Sequence, residues 1–145
     1  MFADLLRRLN ATADARRLGP EDARVAMAAL MVRVARSDER YSDPERARID
    51  ALLADHYRLP PEQAASLRRE AERAESMAHD TVQFTRVVKE DVPYEERVWV
   101  VETLWRVAIA DGIDADERGF LRLVANLLGV SDQESALARQ RAERG

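Results

Sequence analysis

Two stretches of this chain repeat one another, and the repeat restricts the fold more than any other feature does. Arg33-Val34-Ala35-Arg36-Ser37-Asp38 matches Arg106-Val107-Ala108-Ile109-Ala110-Asp111. A short acidic loop follows each, Glu39-Arg40-Tyr41-Ser42-Asp43-Pro44-Glu45 in the first and Gly112-Ile113-Asp114-Ala115-Asp116-Glu117 in the second. An amphipathic stretch comes next, with Ile49-Asp50-Ala51-Leu52-Leu53 opposite Leu121-Arg122-Leu123-Val124-Ala125. Both copies close alike, on Leu59-Pro60-Pro61-Glu62-Gln63 and Val130-Ser131-Asp132-Gln133-Glu134. Each unit, spanning about residues 23–63 and 97–134, therefore reads as apolar helix, acidic turn and amphipathic helix. Two such helix–turn–helix units can pack their apolar helices about a pseudo-twofold axis, with the acidic turns in related positions.

The rest of the chain agrees with an all-α bundle of about 7–8 helices forming a single domain over residues 1–145. It holds 24 Ala and 22 Arg, and its five Gly and five Pro stand mostly at the edges of apolar stretches. Strong helix formers on that scale argue against a β-sandwich or a doubly wound sheet. An N-terminal helix is expected over about residues 2–18, with Phe2, Leu5, Leu6 and Leu9 along one narrow stripe. The next begins at Gly19-Pro20 and runs to near Asp38. It is apolar almost all round from Val25 to Val32, which places it at the centre of the bundle. Further helices are expected from Asp43 to Tyr57, from Pro60-Pro61, from Asp80-Thr81 to Pro93, from Tyr94 to Ala110, from Asp116 to Leu128, and after Ser131. The stretch around Arg68-Arg69-Glu70-Ala71-Glu72-Arg73 reads as the most solvated face, and Arg139, Arg141 and Arg144 as a fraying end.

Several function classes drop out on composition. The formal net charge is −4, from 27 acidic and 23 basic side chains well mixed along the chain. Such a domain gains nothing from counterion release on a polyanion, so nucleic acid is not the expected partner. With no Cys there is no disulfide framework, thiolate nucleophile or zinc ribbon, and His56 and His79 are too far apart for a short metal-ligand motif. The N-terminus lacks the apolar core of a signal peptide, and no apolar run approaches the ~20 residues that span a bilayer. The chain therefore reads as a soluble intracellular protein without a transmembrane segment.

The run Phe84-Thr85 through Tyr94-Glu95-Glu96-Arg97-Val98 to Leu104-Trp105-Arg106-Val107-Ala108-Ile109-Ala110-Asp111-Gly112 resembles the tellurite resistance TerB-like family. The resemblance extends from about Ala23 to Leu137. Its hallmark is the A-D-G turn before an acidic helix start, here Ala110-Asp111-Gly112-Ile113-Asp114-Ala115-Asp116-Glu117. The first copy carries Ser37-Asp38-Glu39 in place of A-D-G. This resemblance implies an all-helical, non-enzymatic domain linked to resistance against tellurite and related stresses. It further implies a bacterial, cytoplasmic protein whose partners belong to a membrane-associated stress-resistance complex, peripheral at the inner membrane face.

The acidic turns carry the chemistry to be explained. Ser42-x-x-Glu45 and Asp114-x-x-Glu117 both fit a capping box, in which an N-cap oxygen and a Glu at N3 satisfy free helix amides. Asp38 and Asp111 instead stand at the C-terminal ends of apolar helices, where a carboxylate meets the negative end of the dipole and costs ~0.3–1 kcal/mol. Repeating that placement calls for a positive charge, from Arg33 and Arg106 five residues earlier, from the N-terminus of the following helix, or from a bound cation. Asp38, Glu45, Asp111, Asp114 and Glu117 would form an all-oxygen set suited to a hard divalent ion such as Ca²⁺ or Mg²⁺. The turns lack the twelve-residue spacing of an EF-hand. Three other readings stay open: a basic protein partner at the acidic turns, a metal-dependent hydrolase using these carboxylates, and a membrane-surface adaptor using the N-terminal stripe. No nucleophile, phosphate-cradling Gly loop or His partner accompanies the carboxylates.

Overall fold

A computed structural model of the protein describes residues 20–36, 41–77, 81–110, 112–113 and 115–144. The expected helix over residues 2–18 and its stripe lie outside them. Among the described residues the chain forms seven helices and no strand: α1 (Pro20–Arg36), α2 (Asp43–Tyr57), α3 (Pro61–Met77), α4 (Thr81–Asp91), α5 (Tyr94–Ala110), α6 (Ala115–Leu127) and α7 (Asp132–Arg144).

The continuous apolar sequences of α1 and α5 become the centre of the protein. Every residue from Val25 to Val32 is buried, and in α5 so are Val100, Val101, Leu104, Trp105, Val107 and Ala108. The two helices pack against each other, and each carries its own unit around it. α1 makes its largest interface with α3 and also touches α2, while α5 makes its largest with α7 and also touches α6. α4 lies between the units, against α1, α5 and α6.

The charged helices α3 and α7 face solvent along most of their positions, yet each also carries a buried stripe. α3 buries Ala64, Ala71 and Ala74, and α7 buries Ser135, Ala138 and Ala142. Each set returns to one face at helical spacing. Small side chains along that face let the helix backbone come close to the apolar partner, so the stripe packs without bulky residues. The charged positions then lie along the margins of the contact. α7 extends as a helix to Arg144, with Arg141 and Arg144 exposed.

Both amphipathic helices end on a left-handed residue. Arg58 closes α2 at φ 54°, and Leu59 N–H donates to Ala54 O at 3.0 Å. Gly129 follows α6 at φ 76°, and Val130 N–H donates to Ala125 O at 2.9 Å. The same αL closure thus recurs at matching places of the repeat, with glycine in only one of them. Along α6 the apolar face is narrower than its sequence suggests: Leu121, Val124 and Ala125 are buried, whereas Leu123 is 51% exposed.

Candidate functional site

Side chains from α1, α2 and α3 converge around Tyr41 and the end of α1. Tyr41 lies where the chain enters α2, and its ring takes the guanidinium of Arg46 at 4.5 Å and that of Arg36 at 5.1 Å. Its hydroxyl donates to Glu72 Oε2 at 2.5 Å. The same carboxylate accepts from Arg68 Nη1 at 3.1 Å and pairs with Arg46 Nε at 3.4 Å. Arg68 in turn donates from Nε to Asp50 Oδ1 at 2.7 Å. At the end of α1, Arg33 and Arg36 pair with the two oxygens of Glu75 at 3.1 and 3.0 Å, and Arg33 Nη2 also donates to the Glu75 carbonyl. Charge-assisted bonds of this kind fix register as well as adding energy. Arg68 and Glu72, which the sequence assigns to a solvated face, are thus the joint between α2 and α3.

The electrostatics follow from that enclosure. Burial pushes the Glu72 carboxyl up, but the Tyr41 hydrogen bond and the Arg68 and Arg46 charges outweigh it, leaving the group below its ordinary value. Burial, then the hydrogen bond to Glu72 and its charge, push the Tyr41 hydroxyl well up. For Arg68 the bonded Asp50 carboxylate leads and Glu72 adds to it, so the guanidinium is held charged more firmly than usual.

Of the carboxylates nominated by the sequence, Glu45 and Glu117 fall among the described residues; Asp38, Asp111 and Asp114 lie outside them. Glu45 and Glu117 both occupy the third position of their helices, α2 and α6. Glu45 is buried, and its Oε1 accepts from the Ser42 backbone N–H at 3.0 Å and from the Ser42 hydroxyl at 3.2 Å. Those bonds make Glu45 the returning arm of a capping box. Glu117 is half-buried and has interactions of its own. Among the described residues no three His, Cys, Asp or Glu side chains are grouped so as to hold a metal ion.

In the second unit the bracing is built differently. Glu102 on α5 pairs with Arg106 one turn on at 3.0 Å and with Arg141 of α7 at 2.5 Å. Trp105 is buried, and its indole Nε1–H donates to Ser135 Oγ at 3.2 Å. Arg97, from the Tyr94-Glu95-Glu96-Arg97 motif, donates to the carbonyls of Val92 and Leu128. The motif's arginine therefore serves the fold, closing the ends of two other segments.

A third cluster escapes any reading by spacing. The His56 ring of α2 stacks on Trp99 of α5, with centroids 3.5 Å apart and planes 10° from parallel. His56 Nε2 lies 3.2 Å from both Glu96 carboxylate oxygens. Tyr57 meets both rings edge-on, under the guanidinium of Arg24 at 4.5 Å. Burial, followed by the Glu96 charge, pushes the Tyr57 hydroxyl well up. Only the apolar helix context of Trp99 hints at this cluster, because its members come from helices far apart in the chain.

Two adjacent apolar helices, each with further helices packed on it and held by arginine–carboxylate joints, give the described residues an all-α fold. A family model described as tellurite resistance protein TerB matches residues 24–140, and the chain belongs to that family. It is therefore a tellurite-resistance-related domain. No curated protein and no solved structure matches the chain. No helix among the described residues is long and apolar enough to cross a membrane.

Proposed function

We propose that this chain is a non-catalytic binding domain whose acidic turns engage a hard divalent cation, of Ca²⁺ or Mg²⁺ type, within a stress-resistance assembly of protein partners. The ligands are Asp38, Glu45, Asp111, Asp114 and Glu117, all oxygen donors, in keeping with a chain that has no Cys. The observation that supports this reading is the position of Arg106. As the arginine five residues before Asp111, it is the internal candidate to offset that carboxylate, yet it pairs with Glu102 at 3.0 Å, one turn back on α5. An acid at the negative end of the α5 dipole then calls for positive charge from elsewhere, which a bound cation supplies together with the N-terminus of α6. Glu45 keeps one carboxylate oxygen outside its bonds to Ser42, so capping and ligation can coexist there.

A thermal melt titrated with Ca²⁺, Mg²⁺ and Zn²⁺ against a chelator tests the reading. An ion at a hundred times its Kd adds about 2.7 kcal/mol, which raises Tm by roughly 5–11 °C for a domain of this size. Without the ion, Asp38→Asn and Asp111→Asn are neutral or stabilising, because each removes a charge from the unfavourable end of a helix. No shift with any metal would remove the cation and leave the turns as a surface for a basic protein segment.

A further inference from the structure

A cleft of about 490 Å³ opens between α6 and α7. Its two walls are built alike. From α6 come Ala115, Arg118, Gly119 and Arg122, and from α7 come Asp132, Ser135, Ala136 and Arg139, each set at i, i+3, i+4, i+7. That spacing puts each set on one helix face, so small residues make the room and arginines line it. Trp105 of α5 also lines the cleft, where it forms the floor.

The charge of the cleft is lopsided for an acidic protein. Among the described lining residues three guanidinium groups face one carboxylate, that of Asp132, with Glu143 beside Arg139 at the margin. Among the described residues, Arg118 and Arg122 pair with no carboxylate, whereas Arg33, Arg36, Arg46, Arg68, Arg106 and Arg141 all do. Arg139 is set by its neighbours. Its guanidinium stands 5.3 Å from the centre of the Trp105 ring, and its Nε is 3.6 Å from Glu143 Oε2, beyond hydrogen-bond length. That Nε is fully buried with no acceptor among the described residues. Ser135 Oγ already accepts from the Trp105 indole, which leaves its own proton free to be donated. The site thus offers several donors, a surplus of positive charge and an aromatic floor within a volume typical of small-molecule sites.

We propose that this cleft binds a phosphate-bearing anion, gripped by Arg118, Arg122 and Arg139 and reported by Trp105. Guanidinium groups suit phosphate because their donors match its oxygens in pairs. A soluble small molecule and a lipid headgroup present the same phosphate chemistry to the arginines, and the two arms of the experiment separate them.

The test is a fluorescence titration of Trp105 in the full chain carrying Trp99→Phe, at constant ionic strength set with chloride. One arm uses inorganic pyrophosphate, the other vesicles of phosphatidylglycerol against vesicles of phosphatidylcholine. A saturable change with pyrophosphate that weakens at least about tenfold in Arg118→Gln/Arg122→Gln supports the site with a soluble ligand. A change seen only with phosphatidylglycerol, and weakened by the same variant, supports it with a headgroup. Both substituted residues are exposed, so the variant keeps its fold, which its melting temperature checks. No saturable change in either arm, or one that the double variant leaves intact, overturns the proposal.

Discussion

Arg97 Nη1 donates to the carbonyl oxygen of Leu128 at 2.5 Å, so a guanidinium from the first turn of α5 closes the C-terminus of α6. Its Nε does the same for Val92, the residue after α4, at 3.0 Å. One side chain therefore satisfies carbonyls at two helix ends that have no intrahelical partner. Arg97→Ala is expected to cost about 1.5–3 kcal/mol in a denaturant melt. Gly129 lies close by: a Cβ there would stand 2.8 Å from Arg97 Nη1 and 3.0 Å from Lys89 Cε, on a backbone whose φ of 76° is left-handed. Gly129→Ala should cost about 1–2 kcal/mol for the backbone alone. Its cost should fall in the Arg97→Ala background, since the two substitutions share a contact.

Arg58 holds the left-handed position that Gly129 holds in the second unit. Its φ of 54° is one that an L-residue with a Cβ adopts at a penalty, and glycine adopts freely. Arg58→Gly should therefore stabilise the protein, by up to about 1 kcal/mol after the added freedom of the unfolded chain is subtracted. Urea midpoints of the two proteins decide the sign.

The Tyr57 hydroxyl is buried with no hydrogen-bond partner among the described residues, beneath Arg24 and beside His56 and Trp99. Removing an unsatisfied buried hydroxyl while keeping the ring returns its desolvation cost. Tyr57→Phe is expected to be neutral or to stabilise by up to about 1 kcal/mol, whereas Tyr41→Phe, which breaks the bond to Glu72, should destabilise. Paired thermal melts distinguish the two tyrosines.

Acid should loosen the joint between α2 and α3. The folded Glu72 carboxyl lies below its ordinary value of 4.5, so its contribution is fully present above that pH and is lost as pH falls through the lowered folded value. Glu72→Gln should be less stable than the parent at pH 7, and the gap should close on acidification below about pH 4. Stability curves of both proteins against pH measure this directly.

Helix boundaries are legible in the sequence because proline, glycine and capping residues mark them locally. α5 runs from Tyr94 to Ala110, as its position after Pro93 and before Asp111-Gly112 implies. The buried faces of α1 and α5 are equally plain, being apolar in long runs. α3 and α7 are hard to read because their contact stripes consist of Ala and Ser, which hydropathy does not separate from the surrounding charges. The joints around Glu72 and Glu75 are hidden for a different reason: Arg33 and Glu75 are 42 residues apart, and a pairing across that distance exists only once α1 and α3 are packed. Glu45 can be read as a cap from Ser42 and its spacing alone.

A cation site shared between the turns requires that Asp38 and Asp111 take part in one binding event. Calorimetric titration of the full chain with Ca²⁺ and with Mg²⁺, repeated on Asp38→Asn/Asp111→Asn, measures that most directly. A saturable isotherm is expected for the parent protein with at least one of the two ions, weakened at least about tenfold in the double variant. Absence of saturable heat with either ion, or the same isotherm from both proteins, would contradict a shared site.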